Sequence, residues 1–419
     1  MPTLSWANKI PPIPIPGSLE LDSIIYPQGR GYLSRVPEQL PKNHLVMGDN
    51  LAVMSALLLD YEGKIDLIYA DPPFYTNRRY AARIGQGEDS RKPEQWQLAE
   101  GYLDAWDSIE SYLNMLYPRL YLIHRLLSPN GTLYLHLDWH ADAYARLLLD
   151  EIFGANQLLN EIIWVYHGPS PIRKAFNRKH DTILVYTKGK DYTFNADAVR
   201  TPYDETTVKT FASSNKAGFG KVPDLARGKV PEDWWYFPVV ARLHSERTGY
   251  PTQKPEALLE RVILASSNPG DLVADFFCGA GTTTVVAERL ERHFIASDVS
   301  WRAVHTARAR LAGLSTTPFS LQVETQSKVE AIPLQDSALV TLSGDVIHLN
   351  PSLLPDLLYW EVDPHWDGKL FHSVAQACRP RQKAQITSQL SIPFAQSGNR
   401  ISVRLVSING QLSTLQIRE

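Results

Sequence analysis

The chain has 419 residues, 44% hydrophobic and 21% charged, with a formal net charge of -3, which suits a globular protein of two or three domains and excludes a collagenous or disordered one. Its only cysteines, Cys278 and Cys378, exclude a disulfide framework and a cysteine-built zinc site, and the small net charge means that any nucleic-acid surface must be local. No apolar run reaches the roughly 18 residues of a membrane helix and the start lacks the regions of a signal peptide, so no membrane partner and a cytoplasmic location are expected.

Residues 1–43 read as an irregular N-terminal arm with a proline-rich run from Pro11 to Pro16. His44 to Asn50 gives a strand and a turn, and Leu51 to Leu59 has helical periodicity. Asp49 or Asn50 can cap that helix, and Asp49 can equally accept hydrogen bonds from a ligand. Ile65 to Ala70 is an apolar run suited to a strand buried in a parallel sheet. It ends in Asp71-Pro72-Pro73-Phe74, at the strand end where open α/β sheets bind their ligands. The prolines fix two successive φ angles and remove two N–H donors, so the carbonyls there cannot enter a helix and are free to point at a ligand. Asp71 brings an anionic acceptor and Phe74 a flat face, which together suit a planar group carrying an amine. A strand stop followed by a turn is the competing reading of these four residues.

Residues 75–100 form a long polar stretch. Tyr75 stands beside the proposed base pocket, and Arg78 and Arg79 either meet phosphates or face solvent. Residues 107–127 read as an amphipathic helix, kinked or broken at Pro118. Thr132 to Leu137 is the next strand. His136 and His140 straddle its end without a His-Glu-x-x-His arrangement, so no metal site is expected. Asp142 to Phe153 is a helix closed by Gly154. Strands follow at 162–166 and 182–186, with Arg173, Lys174, Arg178 and Lys179 between them. Twelve Lys and Arg against six Asp and Glu between 167 and 230 give a local charge of +6, and with aromatic residues interleaved this is the expected nucleic-acid surface. Residues 190–248 have weak periodicity and read as an insertion, with Trp234 to Phe237 packing it down or stacking on nucleic acid.

Thr252-Gln253-Lys254-Pro255 leads a helix to Ser266. Leu272 to Phe277 is a strand, Cys278-Gly279-Ala280-Gly281-Thr282-Thr283-Thr284 opens a helix, and Phe294 to Asp298 is the following strand. The acid closing this second strand can hold the two hydroxyls of a ribose. The glycine loop is neither a dinucleotide fingerprint nor a P-loop, because Thr284 stands where a third glycine would be and no Gly-Lys-Ser/Thr follows. Asp275 beside a glycine turn suits a cationic amino group, such as that of S-adenosylmethionine (SAM). Residues 320–419 turn to β-prone stretches, expected as a small antiparallel sandwich without a catalytic constellation.

An Asp-Pro-Pro-Phe followed far downstream by Asp-x-Phe-x-Gly-x-Gly-Thr-Thr resembles the β group of amino-methylating DNA methyltransferases, including the modification subunits of type III restriction systems. The resemblance covers roughly 44–312, in which six motifs stand in the family's order. It implies an α/β, Rossmann-like SAM-dependent methyltransferase sheet of seven strands entered in permuted order: a catalytic domain at 44–189 and 249–315, target recognition at 190–248, and a C-terminal β domain at 320–419 outside the resemblance. It implies SAM as cofactor, no metal, and double-stranded DNA as substrate. Asp71, Pro72, Pro73 and Phe74 become the catalytic motif. Asp275, Phe276, Gly279, Gly281 and Thr282 line the methionine part of SAM, Asp298 takes the ribose, Asp49 with Asn50 the adenine side, and Lys254 the methionine carboxylate. Tyr75, Arg78, Arg79 and the basic cluster at 173–179 meet the target base and DNA. The implied reaction is methylation of adenine N6 in a flipped-out base, since members acting on cytosine N4 usually carry Ser in place of Asp71. A cytosine-C5 mechanism needs a cysteine nucleophile, and neither cysteine follows a proline. N4-cytosine or RNA methylation is the alternative within enzymes, and a recognition subunit of a restriction or defence complex the alternative from another class. A homodimer and such a partner subunit are the remaining expectations.

Overall fold

The computed structural model describes residues 3–32, 40–84, 97–169, 172–212, 224–241, 244–379, 386–392 and 400–417. Lys216 and Lys221 of the basic stretch lie outside the described residues. In chain order the elements of the larger part are β1 (Leu19–Ile25), β2 (Asn43–Met47), α1 (Asn50–Tyr61), β3 (Ile65–Ala70), β4 (Arg78–Ile84), β5 (Gln97–Asp104), α2 (Ile109–Leu126), β6 (Leu127–Leu137), α3 (Asp142–Ile152), β7 (Leu158–Val165) and β8 (His180–Thr187). They continue with α4 (Glu205–Ala212), β9 (Trp234–Tyr236), α5 (Glu256–Ser266), β10 (Leu272–Asp275), α6 (Thr282–Arg289), β11 (His293–Asp298), α7 (Trp301–Leu314) and β12 (Phe319–Glu324). The rest are strands: β13 (Ile332–Pro333), β14 (Val340–Ser343), β15 (Val346–Leu349), β16 (Leu357–Asp363), β17 (Phe371–Ser373), β18 (Ala375–Cys378), β19 (Gln389–Ser391), β20 (Ile401–Ser407) and β21 (Leu412–Ile417).

One sheet runs β17-β1-β12-β2-β11-β10-β3-β6-β8-β7-β9. From β12 to β6 neighbouring strands are parallel, and β8 enters antiparallel to both β6 and β7. The seven expected strands are its middle, β2 to β7, and four more extend the edges to eleven. Residues along β3 show why the sheet is covered on both faces. Ile65, Ile68 and Ala70 enter a core with Val53, Met54, Leu57, Leu116, Leu120 and Leu148, from α1, α2 and α3. Leu67 and Tyr69 enter the opposite core with Leu258, Val262, Val286, Val304 and Leu311, from α5, α6 and α7. A run buried on both faces needs no polar alternation, which is why 65–70 reads as continuous apolar sequence. Helix α2 is continuous through Pro118, whose neighbours Tyr117 and Leu120 are buried and hold it on both sides.

Two expected boundaries move. The 1–43 arm contains β1, which pairs antiparallel with β12 and parallel with β17. The expected start of the C-terminal domain at 320 cuts through β12, which pairs parallel with β2. Both pairings join residues hundreds of positions apart, a distance that no local window spans. The remaining C-terminal strands form a five-stranded sheet, β13-β21-β20-β16-β18, and a three-stranded one, β14-β15-β19. The two share one core around Ile347, Trp360, Val403 and Leu415. A buried Arg308–Glu361 pair and an Arg404–Asp22 contact of 2.7 Å tie this part to α7 and β1.

Candidate active site

Strands β2, β3, β10 and β11 end on the same side of the sheet, and each is followed within two residues by an acid or closes on one: Asp49, Asp71, Asp275 and Asp298. The connections reverse direction between β10 and β3, and a crevice opens there as the doubly wound topology requires. The cavity measures about 830 Å³, and the residues lining it include Asp49, Asn50, Asp71 to Phe74, Lys254, Asp275, Phe276, Gly279, Thr282 and Asp298. It thus gathers motifs that lie more than 200 residues apart in sequence.

Asp71 pairs through Oδ2 with the Lys254 ammonium, while its Oδ1 is buried without a hydrogen-bond partner. The Lys254 nitrogen also lies 5.1 Å from the centroid of the Phe74 ring. Of the motif's carbonyls, that of Pro73 is engaged inside the protein: the Tyr112 hydroxyl donates to it at 2.8 Å, because α2 packs directly behind the turn. Phe74 stacks on His136, with centroids 5.7 Å apart and planes at 29°. His136 is itself fixed, with Nδ1 2.7 Å from the Tyr69 hydroxyl and Nε2 3.2 Å from Asp181 Oδ2, so both its nitrogens are engaged inside the protein.

Asp104 was not legible as a site residue. It is buried at the end of β5 and accepts from the backbone N–H groups of Phe74, Tyr75 and Thr76 at 3.1, 3.0 and 2.8 Å. The Thr76 hydroxyl and the Trp106 indole N–H donate to it at 2.7 and 2.8 Å. One carboxylate therefore holds the turn after the prolines, in which Tyr75 is forced to a φ of +66° and Asn77 to +56°. Arg119 on α2 is a second missed residue. It donates to Asp49 Oδ2 at 2.7 Å and to the Asn50 side-chain oxygen. Both readings of Asp49 have a physical basis. Its Oδ1 caps α1 by accepting from the Leu51 N–H at 2.9 Å, and the residue also faces the cavity. Asn50 donates to the Phe276 carbonyl at 2.7 Å. The Phe276 ring is buried in the core, so only its backbone side offers anything polar to the cavity.

At β10, Asp275 accepts from the Thr283 hydroxyl at 2.5 Å and the Phe277 N–H at 3.0 Å. Burial pushes its carboxyl up to about 7. Asp298 accepts from the N–H groups of Gly279 and Ser300, each at 2.9 Å, and burial raises its carboxyl to about 6. Gly281 has a φ of +73°, and a Cβ there would sit 2.6 Å from the Ala307 Cβ, so the loop needs glycine to lie against α7. Thr282 turns its hydroxyl to the Lys254 carbonyl at 3.2 Å. Two acids raised by burial, Asp275 buried and Asp298 half-buried, with no cation bonded to either among the described residues, fit a ligand that carries positive charge and hydroxyl donors.

A groove of about 300 Å³ adjoins the cavity and shares Thr76, Tyr80, Asp138, Tyr166 and Asp181 with it. Arg78, Arg178 and Lys179 line it, and the Arg178 guanidinium lies 4.0 Å from the Trp139 ring centroid. Tyr75 faces inward and tilts on Tyr112 at 5.5 Å. Arg79, Arg173 and Lys174 are exposed and do not line the groove. The Trp234 to Phe237 stretch divides as an edge strand does. Trp235 is buried with Arg261 over its ring, whereas Trp234 and Tyr236 are exposed. Among the described residues no helix is long and apolar enough to cross a membrane.

The sequence model of the DNA methylase family matches residues 65–309. The chain is 30% identical over 287 residues to the type II methyltransferase M.BglII of Bacillus subtilis, covering 67% of this chain and 72% of that one. It is 32% identical over 251 residues to the type II methyltransferase M.HpaI of Haemophilus parainfluenzae, covering 60% and 69%. It is 31% identical over 271 residues to the DNA adenine methyltransferase YhdJ of Escherichia coli K12, covering 64% and 82%. The family match spans Asp71, Asp275 and Asp298, the proline turn and the glycine loop alike, and the chain belongs to the DNA methylase family, the SAM-dependent methyltransferases of DNA.

Proposed function

We propose that the protein methylates the N6 amine of adenine in double-stranded DNA, on a base turned out of the duplex into the cavity. The observation that carries this reading is the buried Oδ1 of Asp71, unpartnered beside Phe74 in the cavity that also holds the glycine loop. An exocyclic amine is a poor nucleophile because its lone pair is delocalised into the ring. Donating one N–H to Asp71 Oδ1 and the other to the Pro72 carbonyl draws the nitrogen toward a tetrahedral form. The released lone pair bonds to the methyl carbon as the carbon–sulfur bond breaks, and the extra proton leaves the nitrogen for Asp71 or water. Bound SAM supplies the electrophilic methyl on a sulfonium. Asp275 with the loop from Gly279 to Thr282 would hold its ammonium end, Asp298 the ribose hydroxyls, and Asp49 with Asn50 the adenine end. Positioning and fixed charge carry the rate enhancement. Phe74, braced on His136, would stack on the base, with Tyr75 beside it. Arg78, Arg178 and Lys179 would take phosphates in the groove, and Arg79, Arg173 and Lys174 would lie along the outer backbone.

The adenine target is supported by the similarity to a protein named as a DNA adenine methyltransferase. Two relatives named as type II methyltransferases support a role beside a restriction partner. A homodimer and a cytoplasmic location belong to the same reading, and sedimentation of the purified protein tests the first. The test of function is incubation of unmodified DNA with the protein and SAM, followed by nucleoside digestion and mass spectrometry. N6-methyladenine is expected. N4-methylcytosine would move the target, and no modified base from a protein that binds SAM would overturn the reading.

A further inference from the structure

We infer that Lys254 is a positioning residue for methyl transfer: its ammonium holds Oδ2 of Asp71 so that Oδ1 alone meets the incoming amine. The inference rests on the methyl-transfer reading and assigns Lys254 a place different from the methionine carboxylate. Both side chains of the pair are largely buried, at 9% and 17% exposure. One Asp71 oxygen is taken and the other has no partner. A carboxylate with one oxygen clamped by a buried cation presents the second in a single orientation. A lone carboxylate can rotate.

The lysine is placed from both ends. Its backbone carbonyl accepts the Thr282 hydroxyl at the start of α6, and Pro255 follows it with a fixed φ. Its tip lies over Phe74. The same residue thereby touches the glycine loop, the acid and the stacking ring, three parts that must be in register when the methyl group moves. The charge also matters. Asp71 shares its surroundings with Asp275 on β10, Tyr69 on β3 and Tyr102 on β5, each of which feels its negative charge. Asp181 on β8 feels the Lys254 charge. The Lys254 ammonium thus sits as the cation bonded to Asp71 in a wall rich in acids.

The test compares wild type with Lys254→Met and Lys254→Arg in steady-state DNA methylation at several SAM concentrations, with SAM binding measured by calorimetry. Lys254→Met should lose kcat by about 100-fold with KM for SAM and its Kd within roughly threefold of wild type. Lys254→Arg, which keeps the charge, should recover most of kcat. A large rise in KM and Kd for SAM with kcat kept would place Lys254 at the methionine carboxylate and overturn the inference. An active wild type beside an unaffected Lys254→Met overturns the inference alone. An inactive wild type overturns the methyl-transfer reading with it. Should Lys254→Met fail to fold by circular dichroism, Lys254→Gln, which keeps polarity without charge, carries the same comparison.

Discussion

Replacing Asp104 by Asn changes one atom in a residue remote from the cofactor loop, and it should nevertheless disable the enzyme. The carboxylate accepts five hydrogen bonds, three through Oδ2 and two through Oδ1. An amide has one acceptor atom, so whichever way Asn is turned, two or three donors meet an NH₂ group instead. A bond to a charged group contributes about 1.5–3 kcal/mol, and an orphaned donor adds its own cost. Two such losses would come to about 3–6 kcal/mol if they were additive. Bonds sharing one acceptor are not additive, so about 2–4 kcal/mol is expected for the whole protein. The turn itself resists least, since Tyr75 and Asn77 are held at positive φ and relax once the anchor weakens. Phe74 and Asp71 then move relative to the glycine loop, and a misplacement of about 1 Å can cost about 100-fold in rate. Asp104→Asn should therefore lose kcat for DNA methylation by about 100-fold or more. Its Kd for SAM by calorimetry should stay within about threefold, and its Tm should fall by several degrees. Wild-type kcat in a folded Asp104→Asn would refute the idea that this carboxylate sets the turn.

Three further outcomes follow from the same geometry. Gly281→Ala forces a side chain into left-handed backbone against Ala307, at about 1–2 kcal/mol for the conformation and about 1–3 kcal/mol for the overlap, so SAM affinity should drop at least tenfold in a calorimetric titration. Asp275 is raised in the folded state, so its contribution favours folding below its unfolded value of about 4 and is lost as pH rises through about 7; the Tm of ligand-free Asp275→Asn minus that of wild type should grow between pH 5 and 8, and SAM binding by wild type should tighten over the same range. Arg308→Ala leaves buried Glu361 with the longer Arg404 contact of 3.9 Å in place of its direct partner, at up to about 3–5 kcal/mol, whereas Arg308→Met with Glu361→Leu should recover most of the loss in thermal melts.

Local chemistry made the catalytic strand ends legible. Continuous apolar runs marked the parallel strands, prolines and glycines marked the turns, and the acids stood where those strands end. What stayed hidden was the scaffolding that comes from elsewhere in the chain. Asp104 and Arg119 look like ordinary surface charges in a polar loop and an amphipathic helix, and only tertiary packing turns them onto the proline turn and onto Asp49. Lys254 was legible as part of the site but not as the partner of Asp71, because the contact spans 183 positions. The sheet edges were hidden for a related reason. β1 alternates loosely, and its partners β12 and β17 come from the far end of the chain. A cut at 319 would therefore strip the sheet of two strands and remove Glu361 from Arg308, since the segment after it shares both with the larger sheet.

A net charge of -3 averages over two opposed fields, and their arrangement explains how one protein can serve two ligands of opposite sign. The cavity wall carries Asp49, Asp71, Asp104, Asp138, Asp181, Asp275 and Asp298, against Arg119, Arg247 and Lys254. The adjoining groove carries Arg78, Arg178 and Lys179 beside Asp138 and Asp181, which it shares with the cavity. On the proposed reading a sulfonium with an ammonium would be drawn inward, and a polyanionic backbone would be held by the groove's cations and repelled by the acids within. A base turned out of the duplex is uncharged, so it crosses from one field to the other without a large electrostatic penalty, while its phosphates remain at the rim. On the proposed reading this segregation does part of the selection. Raised salt should weaken DNA binding steeply through the rim contacts and change SAM affinity much less, because Asp275 is buried and Asp298 half-buried, where screening is weak.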